Sequence, residues 1–474
     1  MRIIDKKILG TAIILAAVSI AVILELGSAD PTLARGAGLI VFAIGFWAFG
    51  ILPEAVTGMI FLVAGVGGEI VTPSVAFSGF TTSAFWLIFA GLILGAAVSR
   101  TGLASWLAAR TLPEGGPADA AAAVGYGRLV ALIVLLSAGL ALVLPSTMGR
   151  IVILIPVIAA LAPRLGYAAG SRGHAGMILA GGIGTYVVPI TFLPANLPNI
   201  VLAGSLEALH DVTLTYGSYF LLHFPVIGLI KGLVLVILIT VLFGERPVID
   251  ADGDEEPAQA PDRAALSPDG RRLAIILLIT LLFWASDVVH GIAAAWVGMA
   301  AAIACLLPMM RILPFKVFAE KVQLPTLLYI AAVLSLGPVM TATGAGQALG
   351  DWLLGIVPLS GAGDFTVMVS MAGMATVMGL AATMPGAPAV AAPLFPEIAQ
   401  LTGWSIEAVG MAQVFGYATP LLPYQVPPLV VALAMGGVRA ADAVKVLLLL
   451  AVTTTPIVLP LAYVWWSFLG WMPG

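Results

Sequence analysis

The sequence predicts an all-α polytopic membrane protein made of two inverted-topology repeats, with two re-entrant hairpins and two broken transmembrane helices. Composition is the first observation behind this. Of 474 residues, 61% are hydrophobic and 9% charged, and the mean hydropathy is +1.11, far from soluble composition. Span length is the second. The apolar runs are about 17 to 25 residues long, as helical spans require, and none has the alternation of a barrel strand. Internal duplication is the third. Leu144-Pro145-Ser146-Thr147-Met148-Gly149-Arg150, running on to Pro156, is matched by Met384-Pro385-Gly386-Ala387-Pro388, running on to Pro396. Pro194-Ala195-Asn196-Leu197-Pro198-Asn199 is matched by Pro423-Tyr424-Gln425-Val426-Pro427-Pro428. Ile88, Ala90, Leu92, Leu94, Gly95, Thr101 and Gly102 recur as Ile330, Ala332, Leu334, Leu336, Gly337, Thr343 and Gly344. The three matches keep their order and nearly the same spacing.

Taken in order, the first repeat (1-243) has scaffold spans within 8-68, namely 8-26, 36-51 and 54-68. The first run is too long for a signal-peptide core and lacks a clear exit site, so it reads as a span. Transport elements occupy 84-204: a span at 84-100, a hairpin at 127-163 with its tip at 144-150, and a broken span at 174-204. A span at 218-243 closes the repeat. Residues 244-272, rich in Asp, Glu and Pro, read as a solvated cytoplasmic linker. In the second repeat (273-474), scaffold spans within 273-310 lie at 273-288 and 291-310, followed by a connector at 311-323. Its transport elements occupy 324-436: a span at 324-343, a hairpin at 365-402 with its tip at 383-388, and a broken span at 405-436. A span at 445-470 ends the chain.

Basic residues orient this layout. With a cytoplasmic N-terminus and a periplasmic C-terminus, nearly all arginines and lysines, from Arg100 and Arg110 to Arg439 and Lys445, fall on cytoplasmic segments. Only Arg35 falls outside, while Arg150 and Lys231 fall within the membrane. The hairpins then enter from opposite sides, the arrangement of a secondary transporter.

Several classes are excluded. There is no basic stripe with aromatics for nucleic acid and no phosphate-binding loop for ATP. A single cysteine, Cys305, rules out an internal disulfide. The four scattered histidines argue against a metal centre. No nucleophile–base set lies in the duplicated elements, so no catalytic residue is expected.

Irregular backbone at membrane depth is tolerated where it faces protein or a water-filled cavity. The freed amides at helix starts there carry positive partial charge and bind anions. Ser146, Thr147 and Thr383 add hydroxyls, and Asn196, Asn199 and Gln425 add amides. Arg150, buried in an apolar segment, is expected to bind an anionic group bidentately. Lys231, after Pro225, is expected to snorkel outward. Glu54 and Glu397 are expected at the interfaces. A cation/proton antiporter or metalloid exporter is the competing reading, but neither tip nor break carries the carboxylate that cation binding calls for.

The segment Ser78-Gly79-Phe80-Thr81-Thr82-Ser83-Ala84-Phe85-Trp86-Leu87-Ile88-Phe89-Ala90-Gly91, through Gly102-Leu103, resembles the divalent anion:sodium symporter (SLC13-like) family. The hairpin and break layout fits as well. The resemblance implies an inner-membrane homodimer that carries dicarboxylate, citrate or sulfate by an elevator movement. It also implies sodium as coupling ion, near Pro145, Ser146, Ala195, Ala387 and Tyr424. In that family each tip carries Ser-Asn-Thr. Here the tips read Pro145-Ser146-Thr147 and Pro385-Gly386-Ala387, while the breaks keep Pro198 and Pro427. The candidate substrate-binding residues are Ser146, Thr147, Arg150, Asn196, Pro198, Asn199, Thr383, Pro385, Gly386, Gln425 and Pro427. With both signature asparagines absent and a permanent guanidinium present, transport is expected to depend weakly on sodium.

Overall fold

The computed structural model of the protein describes residues 3–27, 30–112, 125–248, 265–356 and 359–472. The first repeat opens with α1 (Ile3–Leu26), α2 (Pro31–Phe49), α3 (Glu54–Gly67), α4 (Ser83–Thr101) and α5 (Leu103–Thr111). Local chemistry sets their ends. Asp30 caps α2 by accepting from the Thr32 amide at 2.8 Å, with Pro31 at the first helical position. Thr82 caps α4, accepting from the Phe85 amide at 3.2 Å, and Gly102 at φ 72° ends it.

The first hairpin is α6 (Tyr126–Val143) and α7 (Thr147–Arg164). Pro145 holds Leu144 extended, and Ser146, also extended, restarts the helix by accepting from the Gly149 amide at 3.1 Å. The first broken helix is α8 (Arg172–Val187) and α9 (Leu197–His210), separated by short turns at Pro189–Thr191 and Leu193–Ala195. Then come α10 (Tyr216–His223), a wide turn at Phe224–Gly228 where Pro225 lacks an amide hydrogen, and α11 (Leu229–Phe243).

The second repeat runs through α12 (Pro268–Ala285), α13 (Ala294–Leu306), α14 (Leu324–Ala342), α15 (Ala345–Ile356), α16 (Asp364–Ala391), α17 (Phe395–Thr402), α18 (Ile406–Tyr417), α19 (Pro427–Gly436) and α20 (Ala440–Phe468). Among the described residues, 8 helices are long and apolar enough to cross a membrane. The second tip is sharper than its sequence suggests. Thr383 alone leaves the helix, at φ 62° and ψ 166°, and Met384, Pro385, Gly386, Ala387 and Pro388 already belong to the descending arm. A proline in the first helical turn removes no intrahelical bond, which is why Pro385 does not extend the break. Two helices escaped the expected span list, α5 and α15, which occupy equivalent places just after α4 and α14. The linker segment 249–264 lies outside the described residues.

Packing displays the inversion. In one layer α1 lies on α2, α2 on α3, α3 on α14, α4 on α13, and α12 on both α13 and α4. In the other, α8 packs on α6, α7 and α11, α18 on α16, and α11 on α20. The repeats trade partners across this second layer. The helix after the first break, α9, packs on the second hairpin, while α19, after the second break, packs on the first. At Gly416 a Cβ would lie 2.3 Å from the Ala372 carbonyl, so α18 and α16 meet backbone to backbone.

Two carboxylates join the layers at one face. Glu207 on α9 accepts from the Ser83 amide at 3.1 Å, and from its hydroxyl, at the start of α4. Asp287, just after α12, accepts from the Tyr216 amide and, at 3.3 Å, from the Gly217 amide at the start of α10. At the other end of α4, Arg100 pairs with Asp269 in the first turn of α12 at 3.5 Å. Both carboxylate contacts therefore sit on the face opposite Arg100.

Candidate functional site

Both tips and both breaks converge on one cavity of about 570 Å³. Pro145, Ser146, Thr147, Met148 and Gly149 line it from the first tip, and Met384 and Pro385 from the second. Leu197 and Pro198 arrive from the first break, and Gln425, Val426, Pro427 and Pro428 from the other. The opposite wall is α4 and α14, with Gly91, Gly95, Ser99, Thr326 and Tyr329, and with Glu54 and Lys321 toward the mouth. Ser99 and Lys321 put that mouth on the Arg100 face.

The donors follow from helix starts. The first amides of a helix have no partner within it, and Ser146 takes only that of Gly149. The amides of Thr147 and Met148 thus remain at the cavity, with positive partial charge from α7 behind them. Gln425 is arranged for donation. Its Oε1 accepts from the Leu421 and Leu422 amides at 2.7 and 2.8 Å, while its buried Nε2 has no protein partner. Because Pro427 and Pro428 open α19 without amide hydrogens, Gln425 is the donor which that break contributes.

Arg150 is placed otherwise than expected. It is fully buried and does not line the cavity. Its Nη1 donates to the carbonyls of Leu144 at 2.7 Å and Ala195 at 3.1 Å. Its Nη2 donates to Thr147 Oγ1 at 3.2 Å, Thr185 O at 3.0 Å, Ala195 O at 3.1 Å and Asn196 Oδ1 at 2.9 Å. The guanidinium sits in a cage of five oxygens that ties the first tip to the first break. Thr147 also donates to Asn196 Oδ1 at 2.6 Å, and Asn196 Nδ2 to Tyr186 O at 3.2 Å. A side chain three residues past the tip points back along α7, toward the helix start, which turns Arg150 under the tip instead of into the cavity.

Asn199 likewise serves the backbone, donating to Ile190 O at 3.0 Å and Phe192 O at 2.9 Å. Thr383, Gly386, Ala387, Ala195 and Tyr424 lie outside the cavity lining, and Tyr424 donates to Leu380 O at 2.8 Å. Lys231 does not snorkel. It is 2% exposed, and its ammonium donates to Ala418 O at 2.9 Å and to Thr419 Oγ1. Burial follows from α11 being packed between α8 and α20, which leaves the amine no path to an interface. Glu54, expected at an interface, borders the cavity mouth. The contributions of Tyr186 and Tyr329 were missed, because aromatic residues inside apolar spans carry no distinguishing pattern.

The fit to sodium is poor. At the first tip the carbonyls of Leu144 and Ala195, which a cation would use, already accept from Arg150. At the second break the Ala418 carbonyl already accepts from Lys231. A metal ion at either place would face a resident positive charge.

A family description, "Sodium:sulfate symporter transmembrane region", matches residues 5–472 of the chain. A membrane protein of Cupriavidus necator is 23% identical over 403 residues, 84% of this chain and 77% of that one. The L-tartrate/succinate antiporter of Escherichia coli strain K12 is 27% identical over 310 residues. That match covers 62% of this chain and 60% of the antiporter, so the chain spans about three-fifths of the antiporter's length. Among solved structures, the Alcanivorax borkumensis YdaH transporter shares the fold, with a TM-score of 0.56 and 17% identity, over 85% of this chain and 90% of its own.

Proposed function

Since the chain belongs to the sodium:sulfate symporter family of membrane anion transporters, we propose that it is a secondary carrier of a small dicarboxylate, moving it by an elevator displacement that depends weakly on sodium. The supporting observation is the convergence of both tips and both breaks on one cavity lined by amide and side-chain donors. None of those four elements contributes a carboxylate, so the field at the cavity favours an anion over a cation. The antiporter names of the relatives support a dicarboxylate over sulfate.

The proposed moving body comprises α6 to α11 and α16 to α20, and the frame comprises α1 to α4 and α12 to α14. This assigns α4 and α14 to the frame, since they pack on α13 and α3, although their sequences group them with the transport elements. The frame is the proposed homodimer contact, in an inner membrane with the N-terminus cytoplasmic and the C-terminus periplasmic. The cavity then opens to the cytoplasm. The free amides of Thr147 and Met148, together with Gln425, hold the carboxylates, while Arg150 braces the first tip from behind.

Counterflow tests this reading. Proteoliposomes preloaded with succinate, tartrate, citrate or sulfate should accumulate the same labelled anion, with a dicarboxylate the most active. Accumulation of none of these would overturn it.

A further inference from the structure

On the face opposite the cavity mouth, two acids cross between the proposed bodies in opposite senses. Asp287, in the frame, reaches the first turn of α10 in the moving body, and Glu207, on α9 of the moving body, reaches the start of α4 in the frame. Asp287 is 3% exposed. Its Oδ2 accepts from the Tyr216 amide and its Oδ1, at 3.3 Å, from the Gly217 amide. Thr215 Oγ1 accepts from the Ser218 amide at 3.3 Å, so the opening amides of α10 are capped partly by its own chain and partly by the other body. Glu207 bonds through Oε2 alone, to the Ser83 amide and hydroxyl. Among the described residues neither acid forms an ion pair, and no other titratable side chain bonds to either. His290, in the same turn as Asp287, donates to Phe283 O at 2.8 Å and accepts from the Ile292 amide at 3.0 Å. His210, just past Glu207, donates to Ala392 O at 2.8 Å, and Asp211 follows it. On the elements packed against α9 and α10, Asp364 at the start of α16 accepts from Trp404 Nε1 at 2.8 Å, Glu407 starts α18, and Arg100 lies at the far end of α4.

We propose that Asp287 and Glu207 form a proton-sensitive latch, such that acid on their own face releases it and shifts the carrier toward the state open there. This rests on the elevator reading above. An ionised carboxylate only accepts, and a proton turns one of its oxygens into a donor. Both oxygens of Asp287 already face amide hydrogens, so a proton there displaces one of them. On Glu207 the proton can sit on Oε1, but the Oε2 contacts then lose their charge assistance and the start of α4 loses its anion. Asp287 is therefore the more sensitive half. Protons reach the acids from that face when the latch is open, and leave to the same face before it re-forms. They set a population and supply no driving force.

The test uses Ser99→Cys as reporter of the mouth, the native Cys305 being buried. Proteoliposomes are held at one external pH while the lumen is stepped from mildly alkaline to mildly acidic. An impermeant maleimide added outside labels only molecules whose mouth faces outward, so the reporter thiol meets a constant pH and the latch meets that of the lumen. Acid in the lumen should slow labelling about twofold or more, the least that losing a helix cap implies. With Asp287→Asn added, labelling should be slow throughout and depend little on lumen pH, with Glu207→Gln added it should keep part of the dependence, and with both it should be flat. Labelling that ignores lumen pH in the otherwise unaltered chain, or the same dependence with both acids replaced, would overturn the latch. If the double replacement does not fold, the reporter alone decides. A pH dye in the lumen should show no proton movement during succinate exchange, and movement abolished by Glu207→Gln would overturn the purely modulatory role. Labelling uses no substrate, so the latch can fail while counterflow still upholds the carrier reading, and a carrier that moves no anion overturns that reading by itself.

Discussion

Arg150 shows what a sequence conveys about a single residue and what it withholds. That a guanidinium lies in the membrane beside a helix break is legible from the apolar run after it. Which way it points is not, because that depends on Leu144, Thr185 and Ala195, which offer backbone carbonyls that no residue type announces. The same holds for Lys231, whose acceptors are 187 and 188 positions away. Removing Arg150 strands a cage of buried acceptors, each costing about 1–3 kcal/mol when unmet. Arg150→Ala should therefore lower the melting temperature in detergent markedly, with Arg150→Lys intermediate, since three donors on one nitrogen replace the four of Nη1 and Nη2. An unchanged melting temperature in Arg150→Ala would contradict the cage. Gln425 predicts the opposite pattern. Gln425→Glu keeps the oxygen that holds Leu421 and Leu422 but turns the free Nε2 donor into an acceptor. Affinity for succinate should fall about tenfold or more, the value of a hydrogen bond to a charged group, with the melting temperature nearly kept. Equal affinity by calorimetry would remove Gln425 from the site.

Hairpins, breaks and their order are legible because prolines and glycines interrupt apolar runs at matching places in both halves. The width of an interruption is less so. Pro385, Gly386 and Pro388 look like a loop yet belong to a helix, and one residue, Thr383, takes the whole turn in a backbone region that β-branched residues rarely visit. Close approach of elements is also hidden: Gly416 reads as one small residue among many, yet α18 touches α16 there. Gly416→Ala must push two backbones apart, and should lower both thermal stability and succinate exchange; a folded variant of unchanged activity would show that the contact yields freely. The carboxylate contacts of Glu207 and Asp287 hold the face opposite the cavity mouth. Each resembles a helix N-cap, worth about 0.5–2 kcal/mol. Removing both by Glu207→Gln with Asp287→Asn should shift the population away from the state open at the mouth. Maleimide labelling of a cysteine at Ser99 should then slow, and an unchanged rate would mean that other contacts set this equilibrium.

At the scale of the whole molecule, composition and basic-residue placement suffice to infer a multi-pass helical protein, and the duplication to infer its inverted halves. The proposed division into frame and moving body was less legible. It depends on α4 and α14 packing on α13 and α3, across the repeats. The functional account is also a whole-molecule matter, because it rests on one cavity lined by tips and breaks from both halves. A sodium ion beside a tip or break would need oxygens free to coordinate it. Here two of the chain's own cations hold those oxygens. The most direct measurement is succinate exchange in proteoliposomes at fixed pH, with sodium replaced throughout by potassium or choline. The account predicts exchange rates that differ little among the three. A steep, saturable requirement for sodium would contradict it, and would mean that sodium binds despite Arg150 and Lys231.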